Sequence, residues 1–160
     1  MPSSPPREHL DPRALRLWRI GEAVQSAVVF VIAAAVTAVL IRATDLSLIL
    51  ASLPALLGLI LGVASVVYVP AIRWKHWRYE VRDLEVDIQR GVLTITRTRV
   101  PMTRIQHVDT RRGPLEQRFG LATVILYTAA GANEIPALDL AVADVVRDRI
   151  ATLANMHDDV

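Results

Sequence analysis

Two long stretches without a single charge dominate the first half of the chain. From Ala23 to Ile41 only Gln25, Ser26 and Thr37 interrupt the apolar side chains, and from Leu46 to Ile72 no charged residue occurs. At about 1.5 Å of rise per residue, each run reaches across roughly 30 Å of hydrocarbon. One such run would suit the buried helix of a soluble core. Two in tandem predict transmembrane helices over about residues 21–41 and 46–70. A cleaved signal peptide fits poorly, because the first run is long and starts late, and a second follows without a cleavage segment.

After Trp77 the pattern changes from helical to a period of two. Leu84, Val86 and Ile88 alternate with Glu85, Asp87 and Gln89, Arg90-Gly91 supplies a turn, and Leu93 and Ile95 resume the apolar face. Residues 105–110, 122–128 and 133–138 read as further short strands, punctuated by Gly113-Pro114, Gly120 and Gly131. The period then returns to helical. Val142, Val146, Ile150 and Leu153 form one stripe, with Asp139 as N-cap. The expected fold class is a membrane-anchored α+β protein. A two-helix hairpin (20–72) and an exit linker (73–78) precede a bent antiparallel sheet or partly open barrel, closed by a C-terminal helix, over 79–155. The Pro- and Ser-rich start, within 1–19, reads as disordered to interfacial, and 156–160 as a tail.

Small residues along the spans suit close helix packing. Ala51, Ala55, Gly58 and Gly62 share a face of the second helix, and Ala23, Ala27, Ala34 and Ala38 a face of the first. Packing within the hairpin is the primary reading of Gly58 and Gly62, and homo-oligomerisation is the alternative. Trp18, Trp74, Lys75 and Trp77 read as interfacial anchors. Arg7, Arg13, Arg16 and Arg19 precede the first span and Arg73, Lys75, Arg78 and Arg82 follow the second, while the connecting turn offers Arg42 against Asp45. The positive-inside rule then puts both termini in the cytoplasm and the short turn outside.

Charge and composition narrow the chemistry. There is no cysteine, so neither a disulfide framework nor a thiolate metal site is available. Neither span carries a central ionisable residue, Glu22 lying at an edge, which argues against a transporter or an intramembrane enzyme. From Trp74 onward acids and bases are equal in number and aromatics are few, which disfavours nucleic acid. The bases are nonetheless concentrated: Arg97, Arg99, Arg104, Arg111, Arg112 and Arg118 form the candidate surface for lipid or a partner. Two readings of them stand. One is cross-strand pairing of Arg97 and Arg99 with Glu85 and Asp87; the other is an anionic inner-leaflet contact.

The segment from Pro101 to Ala122 carries the most specific pattern: Pro101, Arg104, Ile105, Gln106, His107, Val108 and Asp109, then Gly113, Pro114, Leu115, Phe119 and Gly120. It resembles the signature of the membrane-flanked bacterial PH-like domain family, the YdbS-like proteins, and the layout of two helices followed by one domain matches too. The resemblance implies a pleckstrin-homology-like fold and no known reaction. It also implies a larger membrane protein with several related domains as partner, and an association with envelope stress or resistance to membrane-active peptides.

Read as chemistry, the motif is weak. No activated nucleophile stands beside His107, and His107 with Asp109 lacks a third metal ligand. His107 therefore reads as a satisfied strand polar residue or a cross-strand partner, on a strand that is partly buried on both faces or bulged. Gly113-Pro114 makes a corner, Leu115 and Phe119 point inward from one helical turn, and Gly120 ends it with positive φ. The basic first loop that eukaryotic relatives use for phosphoinositides is here "VRDLE", with Arg82 answered by Asp83 and Glu85. The expectation is a non-enzymatic scaffold without a cofactor, with lipid sensing by the Arg90–Arg118 segment as the alternative.

Overall fold

A computed structural model describes residues 5–158. The chain forms two compact units: one from the residues up to Leu17 together with those from Arg73 onward, the other Trp18–Ile72.

The second unit is the helical hairpin. Helices α1 (Arg13–Ala43) and α2 (Leu48–His76) are each long and apolar enough to cross a membrane. They extend beyond the expected spans at most ends. Gly58 and Gly62 are used within the hairpin: a Cβ on Gly58 would lie 3.1 Å from the Ala33 Cβ, and one on Gly62 3.3 Å from the Ser26 Cβ. The face that α1 turns to α2 therefore includes Ser26, Ala33 and Thr37; Ala23 and Ala27, though exposed, line one depression with Gly58 and Gly62, whereas Ala38 is exposed. Polar groups join the helices where hydrocarbon would leave them unsatisfied. The Ser26 and Ser65 hydroxyls meet at 2.9 Å. Beside Pro54, which has no N–H, the Ala55 N–H donates to Thr37 Oγ1 at 3.2 Å.

The other unit contains two antiparallel sheets. The first has the order β1-β2-β3-β4, formed by Glu8–His9, Arg78–Val81, Glu85–Gly91 and Ile95–Pro101. A 3-10 turn at Met102–Arg104 leads into the second, of order β5-β6-β7: Ile105–Arg111, Leu121–Thr128 and Gly131–Asp139. A short helix α3 (Pro114–Phe119) lies between β5 and β6, and α4 (Leu140–Asp158) closes the chain. The core draws Val86 and Ile88 from the first sheet, Leu121, Val124, Leu126 and Ile135 from the second, and Ile150 from α4. Asp139 caps α4 by accepting the Ala141 N–H at 3.0 Å.

Several expectations need correction. The start of the chain is not disordered over its described part: Glu8 and His9 pair with Tyr79 and Arg78, and Leu10 is buried. Residues 1–4 lie outside the described residues, as do 159–160 of the expected tail, whereas Met156 still belongs to α4. Trp77 is a core residue, only 6% exposed, not a headgroup anchor. Trp74 is half-buried; its indole N–H points to the carbonyls of Leu10 and Asp11, both at 3.3 Å, and its ring stacks on His9. Gly91 is still paired with Ile95, so the turn lies at Val92–Thr94, and Leu84, Leu93 and Ile95 are exposed. The buried stripe of α4 runs through Ala143, Ile150 and Ala154, leaving Val142 outside, because small side chains let the helix sit close to the sheets.

Candidate partner-binding surface

The motif divides into residues that build the fold and residues that face outward. Gly113 opens α3, and the Glu116 carboxylate accepts the Gly113 N–H at 2.7 Å. The same carboxylate accepts the Thr123 hydroxyl on β6, tying the helix to the sheet. Gly120 ends α3 with φ of 67°, and its N–H donates to the Gln117 carbonyl. Leu115 and Phe119 do not form the inward anchor expected of them. Leu115 is exposed and Phe119 half-buried, because Glu116 is the side chain that α3 directs to the sheet.

Arg13 holds the end of this helix from a distance in sequence. Its guanidinium donates to the Phe119 carbonyl at 3.0 Å and to the carboxylates of Asp11 and Asp139. The Arg13 hydrogen bond holds the carboxyls of Asp11 and Asp139 below the ordinary range, and the Ala141 N–H adds to the effect on Asp139. Arg13 had no sequence signal beyond its charge, since its partners come from the far end of the chain.

Strand β5 carries the outward residues. A register shift between Ile105 and His107 turns the buried Ile105 and the exposed His107 to different sides. His107 lies opposite Tyr127 and stacks on it, with centroids 4.3 Å apart and planes at 14°. Its Nε2 is 3.7 Å from Asp109 Oδ2, and both side chains are more than half exposed. One rung further, Arg111 donates to Glu134 of β7 at 3.0 Å. His107, Asp109 and Arg111 of β5 thus share a face with Tyr127 of β6 and Glu134 of β7; it is open along β5, whereas Ile125 and Thr123 of β6 on the same face are buried, Thr123 against Glu116 of α3. Tyr127 and Glu134 were not singled out from the sequence; Tyr127 ends an apolar run and offers only its alternating position as a signal. Among the described residues no group of His, Cys, Asp or Glu is placed to hold a metal ion.

The expected basic surface is not one surface. Arg97 forms a two-pronged contact with Asp87, and Arg99 lies 3.7 Å from Glu85 and 3.8 Å from Asp87. Arg82 approaches the same carboxylates, so the outward face of the first sheet is an internally neutralised cluster. Arg112 donates to the Leu121 carbonyl beside α3. Arg104 and Arg118 are exposed, as are Gln106 and Pro114, while Val108 is half-buried and Pro101 ends β4. Trp18 is half-buried and Lys75 exposed.

Comparison with known proteins agrees with this architecture. The chain is 42% identical over 154 residues to the UPF0699 transmembrane protein YdbS of Bacillus subtilis (strain 168), covering 96% of each. It is 30% identical over 92 residues to the UPF0699 transmembrane protein YdbT of the same organism, covering 56% of this chain and 19% of that protein. No solved structure gives a significant match. The model of the family described as "Bacterial PH domain" matches residues 26–154. With two apolar helices, antiparallel sheets and a closing helix in place, the chain is a transmembrane protein that belongs to the bacterial PH domain family.

Proposed function

We propose that the protein is a non-enzymatic membrane scaffold whose PH-like domain binds partner membrane proteins, foremost a longer relative carrying related domains. The observation that carries this reading is the face of the second sheet that is open along β5. The outward side chains of β5, the motif residues His107 and Asp109 together with Arg111, stand there with Tyr127 and Glu134 as a chemically mixed surface. Such a face suits a protein contact, with an aromatic pair ringed by charges. Tethering in the plane of the membrane raises the effective concentration, so modest contacts suffice.

Similarity over 92 residues to the much longer YdbT supports a partner of the same family. An N-terminal arm that pairs with the strand after the hairpin supports a topology with both flanks on one side. The basic residues of those flanks support the cytoplasmic side of the inner membrane. The domain is assigned to about 79–155, joined by the arm. A role in envelope stress or resistance to membrane-active peptides fits a scaffold of this kind. The alternative, lipid sensing by the Arg90–Arg118 segment, draws less support, because Arg97 and Arg99 are turned to Asp87 and Glu85.

The test is gentle extraction of the full-length chain with crosslinking, comparing wild type with the paired variant His107→Ala, Tyr127→Ala. A membrane-bound companion is expected with the wild type, and its recovery should fall about tenfold or more in the variant. Stability should fall by no more than about 2 kcal/mol, since His107 is exposed and Tyr127 only half-buried. An unchanged companion yield, or a bare monomer in the wild type, would overturn the proposal.

A further inference from the structure

We propose that the tip of the β3–β4 hairpin is a membrane-contact site, with Leu93 entering the interfacial layer of the phospholipid bilayer and Arg90 meeting lipid phosphate. Leu93 is 98% exposed, the most exposed large hydrophobic residue among the described residues. A single exposed leucine would need no explanation. Three further features set this one apart.

The first is its surroundings. From Gly91 to Thr96 the chain reads GVLTIT without a charge, and Ile95 is 53% exposed beside Leu93. Turns that face water are ordinarily built from Asn, Asp, Gly and Ser. Arg90 at the edge of this apolar tip is exposed and has no ion-pair partner among the described residues. An apolar tip with a cation at its rim has the composition of an interfacial anchor.

The second is its place in the domain. Arg90, Gly91, Val92 and Thr96 line one depression with Arg73 and Trp77. Arg73 follows Ile72, the last residue of the helical unit, by one peptide bond. The tip therefore belongs to the end of the domain where the chain emerges from the second span. Leu84 provides the contrast. It is 70% exposed but precedes β3 at Glu85, whereas Leu93 follows the end of β3 at Gly91. At about 3.3 Å per residue, the two leucines stand roughly 20 Å apart along the strand.

The third is the tightness of the turn. Gly91 has φ of 145°, and a Cβ there would fall 1.9 Å from the Thr94 carbonyl oxygen. The close return of Thr94 onto Gly91 makes the turn tight, so Leu93 stands at a narrow apex.

This inference does not rest on the scaffold reading and needs no partner protein. Because the chain has no cysteine, Leu93→Cys and Leu84→Cys can each carry a single environment-sensitive fluorophore. The full-length protein would be placed in nanodiscs of phosphatidylcholine and phosphatidylglycerol, with and without lipids bearing a spin label near the headgroup. At position 93 a blue-shifted emission and at least threefold stronger lipid quenching than at 84 are expected. Adding Arg90→Glu to Leu93→Cys should lower that quenching. Equal, water-like emission at both positions would overturn the proposal. So would a dry label at 93 that the lipid quencher cannot reach, which would assign the tip to a protein contact. Partner recovery is measured separately, so failure here and failure of the scaffold are distinguishable.

Discussion

Asp87 stands on the outward face of β3, yet its surface is fully covered, because Arg82, Arg97 and Arg99 close over it. A carboxylate in that position is held by charge and hydrogen bonds together. Removing it takes the central carboxylate from three clustered cations and leaves Glu80 and Glu85 at the edge of the group. Asp87→Ala is therefore expected to destabilise the domain by about 3 kcal/mol, read from denaturant unfolding of the purified protein. A joint Asp87→Leu, Arg97→Met change should cost clearly less, since it removes both members of the closest pair. Pairing of Arg97 and Arg99 with Asp87 and Glu85 was legible in the alternation of the hairpin. The burial of Asp87 was not, because it also requires Arg82 from the end of a different strand. Trp77 was misread for a related reason. A tryptophan among cations after a span has the composition of a headgroup anchor, and only the tertiary fold turns its ring into the core.

Elements reveal where local and distant instructions meet. The strands of the second sheet and the closing helix lie within a few residues of where the sequence pattern placed them; β6 is buried on both faces from Leu121 to Leu126, whereas the others keep exposed positions. The hairpin turn did not, because Arg90-Gly91 resembles a turn pair while Gly91 continues the ladder. Gly91→Ala should cost about 2–3 kcal/mol, since the Cβ would strike the Thr94 carbonyl at 1.9 Å; a shift of the thermal midpoint would measure it. Helix α3 depends on Arg13, which reaches its last carbonyl as well as Asp139 at the start of α4. Both carboxylates bound to Arg13 have lowered pKa values in the folded protein, so the stability they contribute is present above the unfolded carboxyl pKa and declines as pH falls through their folded values. Acid titration of unfolding should consequently be shallower in Arg13→Gln than in the wild type.

For the molecule as a whole, the decisive feature is the two-residue strand β1 at Glu8–His9. Nothing in its sequence announced it, as two residues carry no period and the neighbouring prolines suggest disorder. Its partner lies beyond the entire hairpin, at Arg78–Tyr79. The arm also contributes Leu10 to the core and backbone carbonyls to Trp74. Deleting residues 5–10 should lower the stability of the domain by at least about 2 kcal/mol, measured on the membrane-inserted protein by protease resistance. The deeper consequence concerns biogenesis. A nascent chain that threads one helix and fails to thread the other strands Leu10 and the body of the domain in different compartments, and the domain is left without its first strand. Completion of the fold thus requires both helices to be threaded, since only then can Glu8 and His9 reach Tyr79 and Arg78.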